Sequence, residues 1–427
     1  MDLNTQKTVK ERNFLGRLTT HYTCLLVFLE KGVNVILSRV YTLLSKWVPM
    51  AKITGFIRGV ANRLHVNERK AAFFGKRLKQ VLDLYPDREG VIIYPPTHDW
   101  GFMFQRPQQM ARAFARRGYL YFYCTKNERS DSVIGYQEVE SHLFVCHVPL
   151  ETFRLVEKPI VYLGAAWYRG KFAYLNSPRI IYDCYDDLEV SGARVEDHEN
   201  LLATAEMVLV ASKRLLDDIQ GIRPDAVFVP NAVDYQYIKN SNPKPDREPP
   251  ADLRSIMDTG HPIIGYSGGL AEWFDYELLA YIAKAKPEME FVLLGVNYDG
   301  SLDRSRILEI NNVHWLGMKP YSELFNYLWR FDVGIIPFKI NTITLATSPI
   351  KLFEYMAAAK PVVTTALPEC QRYPGVWVAE TYEQFVKHLD SALLSATDDA
   401  YLSLIDHVAQ ENTWDSRVTS ILEVLTK

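Results

Sequence analysis

Two hydrophobic rhythms divide the chain. Leu25, Leu29, Val33, Ile36, Val40, Leu43 and Trp47 step by three or four residues and form one helical face, with Glu30, Lys31, Asn34, Ser38, Arg39 and Lys46 opposite. After Pro49 the pattern resumes at Ile53, Phe56, Ile57, Val60 and Leu64, then at Phe74, Leu78, Val81, Leu82 and Tyr85. Residues 12–85 therefore read as helices, and none of their apolar windows reaches the ~18 uninterrupted residues a spanning helix needs. From Gly90 the rhythm changes to short apolar runs alternating with helical stretches. Strands are expected at Val91–Tyr94, Tyr119–Cys124, Leu143–Val148, Ile160–Leu163, Ile180–Cys184, Met207–Ala211 and Ala226–Val229, with a helix Gln108–Arg117 opened by Pro107. Pro243–Pro250 reads as a linker. A second alternating series follows, with strands at Ile263–Tyr266, Phe291–Leu294, Val313–Leu316, Val333–Pro337 and Val362–Thr364 and helices from Tyr276 and Tyr321.

Such alternation predicts an α/β protein with two Rossmann-like, doubly wound parallel sheets that bind ligands at the carboxyl ends of their strands. The expected division is a basic helical extension over 1–88, a first α/β domain over 89–240, a second over 251–410 and a closing helix over 411–427, with a cleft between the two domains.

Composition adds one asymmetry to this picture. The 427-residue chain is 48% hydrophobic and 23% charged, as in ordinary globular proteins, with a net charge of −3. Residues 1–85 hold 15 Lys and Arg against 5 Asp and Glu, a net +10, whereas the remainder holds 33 against 46, a net −13. A basic, amphipathic arm on an acidic body points to an anionic surface. The same helices can instead pack on the body or pair with a second copy. Five cysteines without C-x-x-C spacing point to a reducing compartment and away from zinc, and no cleavable signal is evident.

The candidate chemistry centres on T-S-P-I-K-L-F-E-Y-M-A-A-A-K-P-V-V-T-T, residues 347–365. Ser348 is placed as an N-cap and Pro349 as the first helical residue. A buried strand delivers the chain to a loop and the loop to this helix N-terminus, an arrangement that offers N–H groups and a positive dipole to a phosphate. Glu354, one turn further, can accept hydrogen bonds from a ribose diol; the bland alternative is a capped amphipathic helix with no ligand. Gly268 and Gly269 in G-Y-S-G-G-L follow a strand and permit close backbone approach to phosphates, without forming the G-x-G-x-x-G fingerprint. Asp183, Asp186 and Asp187 could suggest a hard cation, but a strand end points them in alternating directions, and no metal site is expected.

Over about residues 90–427, W-G-F-M-F-Q-R-P-Q-Q-M-A, R-I-I-Y-D-C-Y-D-D-L, V-P-N-A-V-D, G-Y-S-G-G-L and N-V-H-W-L-G-M-K-P-Y occur in the order seen in GT-B glycosyltransferases. Together with the Glu354 helix, they make the chain resemble family 4-like enzymes of bacterial teichuronic-acid and exopolysaccharide synthesis. The resemblance implies that Glu354, as the second Glu of a Glu-x7-Glu motif, holds the donor ribose; the first position is Ala346. It places the diphosphate at Ser348, Ile350, Lys351, Gly268 and Gly269, and the nucleobase at Gly317 and Met318. Trp100, Arg106 and Tyr185 fall on the acceptor side, Tyr185 standing where relatives carry His, and Asp186 takes the catalytic position. The Arg and Lys that relatives place after the glycine turn are replaced by A-E-W-F-D. The last helix is expected to cross back to the first domain.

The implied activity is retaining transfer from a nucleotide diphosphate sugar, as co-substrate and without metal or further cofactor, to a lipid-linked or polymeric glycan. The implied setting is the cytoplasmic face of the cell membrane, with the arm on anionic lipid, no nucleic-acid partner and an open oligomeric state. Ala346 and the missing basic pair favour the alternative of a non-catalytic homologue that binds glycan or a partner transferase.

Overall fold

A computed structural model describes residues 66–168, 172–243 and 248–425 of the chain. The amphipathic segments expected between residues 12 and 64, and the centre of the proline-rich linker, lie outside these residues. The described chain divides into two compact units. In the smaller one, the helix Val66–Leu84 belongs with residues 134–136 and 147–153. Leu78 and Val81, from the apolar stripe, are buried there, and the ring of Phe74 lies against Gly135.

The described chain forms two sheets. The first runs β1 (Gly90–Tyr94), β2 (Tyr119–Cys124), β3 (Gly135–Glu140), β4 (Leu143–His147), β5 (Ile160–Leu163), β6 (Arg179–Cys184), β7 (Met207–Val210) and β8 (Val227–Phe228), in the order β3-β4-β2-β1-β5-β6-β7-β8. The second runs β9 (Ile263–Ser267), β10 (Glu290–Leu294), β11 (Val313–Trp315), β12 (Val333–Ile336), β13 (Val362–Thr365) and β14 (Val376–Ala379), in the order β11-β10-β9-β12-β13-β14. All pairings within the second sheet are parallel. Two strands, β3 and β14, were not expected from the sequence. Both close a sheet edge and keep half-exposed residues, so neither shows a continuous apolar run.

In each sheet the chain starts centrally, winds one way, then reverses, at β1/β5 in the first and at β9/β12 in the second. A crevice opens outside the strand ends at such a reversal because neighbouring connections leave on opposite faces. The two sheets have separate cores, and the last helix Trp414–Leu425 contributes Trp414, Val418 and Ile421 to the core of the first. Arg116 ties that helix down with an ion pair to Asp415 at 2.9 Å.

Candidate functional site

At the reversal of the second sheet, β9 ends in the turn Gly268–Gly269. Gly268 has φ +149° and Gly295, just past β10, has φ +152°. A Cβ on Gly295 would stand 1.7 Å from the carbonyl oxygen of Gly268, so these strand ends approach only because position 295 is glycine. The Gly268 N–H donates to the Leu294 carbonyl at 2.8 Å, and the Tyr266 hydroxyl donates to the Gly269 carbonyl at 2.9 Å. Gly295 also donates its N–H to Gly317 at 2.9 Å and accepts from the Trp315 indole at 2.9 Å, which anchors the turn after β11. Gly317 there has φ +74°, and Met318 is 45% exposed. Sequence reasoning singled out Gly268, Gly269, Gly317 and Met318 but missed Gly295, whose signal is a glycine immediately after an apolar strand.

Over this turn sits Lys351. Its ammonium lies 4.9 Å from the ring centre of Phe338 and 5.4 Å from that of Tyr266, and its side chain reaches the space a Gly268 side chain would need. Two aromatic faces fix a cation at the glycine turn. Lys351 is half-buried and held inward. Burial pulls the ammonium down to about 8, an effect Glu354 opposes. Glu354, 7% exposed, is raised to about 7 by burial, with Lys351 working against the shift. Lys351 and Glu354 thus stand three residues apart on one helix, each shifted toward its neutral form by burial and each opposed in that shift by the other's charge.

The helix they occupy is Ile350–Ala357, with Pro349 in the cap position. The expected N-cap role of Ser348 is corrected: its hydroxyl accepts from the backbone N–H of Asn231 at 3.1 Å. Pro at the cap leaves the first-turn N–H groups without a side-chain cap. Ile350 turns its side chain to the core of the first sheet. Ala346, at the place of the first motif Glu, is 2% exposed.

The first sheet presents a different surface at its own reversal. Asp99, in the loop after β1, accepts from four backbone N–H groups, those of Glu128, Arg129, Ser130 and Asp131, at 2.6–3.2 Å. Asp131 returns the contact to the N–H groups of Trp100 and Gly101. Burial alone would raise the Asp99 carboxyl, but these donors hold it well below the usual carboxylate range. The clasped loop carries Trp100, packed edge-on against Phe104 at 5.2 Å, and Met103, which reaches to Gly269. Phe104 stacks on Tyr321, which follows β11, at 4.4 Å, and Gln109 donates to the Tyr321 hydroxyl at 2.7 Å.

Arg106, expected on the acceptor side, is corrected to an internal role. It is 2% exposed, its Nε and Nη2 each meet Asp183 at 2.7 Å, and its Nη1 reaches Asn231 at 3.0 Å. Tyr185 packs against Gly164 with the Arg106 guanidinium 5.9 Å from its ring centre. Asp187 caps the short helix that follows by accepting from Glu189 at 2.9 Å. Of the three carboxylates, Asp183 is buried, Asp187 half-buried and Asp186 exposed. Desolvation by the surrounding protein raises it to about 6; Arg106 pulls it down, while Asp183 and Asp187 add to the rise. Among the described residues, no group of three His, Cys, Asp or Glu side chains is arranged to hold a metal ion.

Two sheets built mainly of parallel strands, each reversing its strand order, with a helix returning from the second to the first, define the GT-B fold. Residues 261–395 match the family model described as Glycosyl transferases group 1. The chain is 26% identical over 272 residues to TuaH of Bacillus subtilis (strain 168), which bears the name of a teichuronic acid biosynthesis glycosyltransferase. That match takes in 57% of this chain and 66% of TuaH, just under two thirds of its length. Among solved structures, the Anabaena protein Alr3699/HepE in complex with UDP-glucose matches 79% of this chain and 99% of its own, with a TM-score of 0.56 and 14% identity. An alpha,alpha-trehalose-phosphate synthase (UDP-forming) from Burkholderia xenovorans matches 79% and 100%, with a TM-score of 0.60 and 11% identity. These two likenesses are of fold. The chain resembles the teichuronic acid enzymes within it.

Proposed function

We propose that the protein is a glycosyltransferase that binds a nucleoside diphosphate sugar at the second sheet and passes the sugar to a glycan at the first. The observation that carries this reading is the Lys351 ammonium, fixed by Tyr266 and Phe338 over the Gly268 turn, with Glu354 one helical turn away. A cation, a side-chain-free turn and an uncapped helix start converge where a diphosphate would lie, and a carboxylate stands where a ribose diol would follow. The UDP-glucose bound by HepE and the name of TuaH support a nucleotide sugar and a cell-surface polysaccharide.

In this reading the diphosphate leaves toward Lys351 and the helix N–H groups, which stabilise its growing charge. Asp186 orients the sugar or acceptor at the first sheet. Retention of configuration without metal, with the departing phosphate oxygen taking the acceptor proton, belongs to the proposal through the family resemblance. So does a place on the cytoplasmic membrane face, where the +10 arm would meet anionic lipid and lipid-linked acceptors.

A panel of UDP, GDP and dTDP tests the reading by thermal shift. A nucleotide at a hundred times its Kd should add about 2.7 kcal/mol to folding stability, and no shift with any of them overturns it. Asp186→Asn should lower turnover about a hundredfold while nucleotide binding persists. The buried Ala346 favours a second reading, a glycan- or partner-binding scaffold. Nucleotide binding with no transfer and no donor hydrolysis would select it.

A further inference from the structure

The segment joining the two sheets carries a relay outside the proposed chemistry. Asn231 donates its backbone N–H to the Ser348 hydroxyl at 3.1 Å, and its side-chain amide N–H to the Ser348 carbonyl. Its amide oxygen accepts from Arg106 Nη1 at 3.0 Å. The remaining Arg106 donors grip both oxygens of Asp183, to which the Tyr162 hydroxyl also donates. From the last helix, Arg417 holds the same segment by donating to the Pro230 carbonyl at 3.0 Å and to Asn412 Oδ1.

One asparagine therefore touches the entry of the helix bearing Lys351 and Glu354. Through a single guanidinium it also touches the strand end that leads to Asp186. The Arg106–Asp183 pair is fully desolvated, and a planar guanidinium clasping a carboxylate leaves little freedom of orientation. The bonds on the Ser348 side fix backbone and side chain together. A rigid path thus links the nucleotide side to the acceptor side.

We propose that Asn231 is a positioning residue that sets the separation between the nucleotide-binding helix and Asp186 in the transfer step. It acts through Ser348 on one side and Arg106–Asp183 on the other, and the inference rests on the proposed transferase reading. A shift of about 1 Å between reacting groups is enough to lower a rate up to about a hundredfold without touching either binding site.

Asn231→Asp tests this, because it keeps an acceptor for Arg106 and replaces the donor to Ser348 with a carboxylate oxygen facing a carbonyl. The expected result is a fall in kcat of about tenfold or more, with donor KM within about twofold of the parent. Affinity for the nucleoside diphosphate that stabilises the parent should be unchanged by calorimetry. A purely structural role would lower the melting temperature and leave kcat per folded molecule intact, so a parent-like kcat overturns the proposal. If Asn231→Asp melts well below the parent, Ser348→Ala decides, since it removes only the hydroxyl acceptor. A lowered kcat with parent-like melting supports the relay, and an unchanged kcat overturns it. A parent that binds no nucleoside diphosphate removes the transferase reading and this inference with it. A parent that transfers while both variants keep pace removes only the relay.

Discussion

The reversal points of the two sheets share a topology and are built from opposite materials. In the second sheet, β9 ends in glycines that bring backbone to within a side chain's width, and one lysine and one glutamate supply the charge. In the first, a loop rich in bulky side chains is held by two carboxylates, Asp99 and Asp131, that accept backbone N–H groups reciprocally. On the proposed reading, the bare backbone would receive a phosphate, which is small and uniform, and the stiffened platform of side chains an acceptor sugar, which is large and varied. The fold supplies two equivalent crevices, and side-chain volume decides which ligand each one can admit.

The strongest way to break the contrast is to give the glycine side a side chain. Gly295→Ala should destabilise the protein by about 3 kcal/mol and abolish nucleotide binding, because its Cβ would overlap the Gly268 carbonyl. Gly317→Ala, which meets no neighbour, should cost only about 1–2 kcal/mol of backbone strain at its positive φ. Denaturant melts and calorimetry separate the two. Next in size is Glu354→Gln, expected to weaken nucleoside diphosphate binding by about 1.5–3 kcal/mol while folding changes little. Unchanged affinity in the folded variant would end the ribose assignment.

On the first sheet, Asp99→Asn should cost about 1–3 kcal/mol of stability and leave nucleotide affinity alone. The native carboxyl is held below its unfolded value, so its contribution is present above about pH 4 and fades as pH falls further. Stability curves of parent and variant should therefore converge in acid; parallel curves would mean the clasp does not depend on charge. The smallest expected effect sharpens the second sheet's side. Nucleotide affinity should fall below about pH 7, as Glu354 takes a proton, and above about pH 8, as Lys351 loses one. Lys351→Arg should remove the alkaline fall and keep the acidic one, since guanidinium stays charged. Calorimetric titrations across pH 6–9 read both limbs.

Strands buried on both faces were the most legible part of the sequence. Tyr119–Cys124 and Ile160–Leu163 stand where the apolar runs put them, because a central parallel strand has no solvent face to interrupt it. Edge strands β3 and β14 lacked that signature. Around the candidate site, the Glu354 helix and the glycine turn were legible as local patterns, a proline-opened helix after a strand and a glycine pair at a strand end. The fate of Arg106 was not visible: its partner Asp183 lies 77 residues away, and a charge in a sequence does not name its counter-ion. Asn231 sat in V-P-N-A-V-D, a motif whose sequence names no partner for it. Its role depends on a partner 117 residues further on.

The last helix also constrains the order in which the protein can be made. Trp414, Val418 and Ile421 complete the core beneath the first sheet, although that sheet's final strand ends at Phe228. On the ribosome, the second sheet, whose strands run from Ile263 to Ala379, is fully synthesised before the first has its last apolar layer. Domains usually fold from the amino end as they emerge, and here the first must wait with part of its core uncovered. A nascent chain stalled before residue 414 should therefore present a protease-resistant second sheet beside a still-cleavable first one.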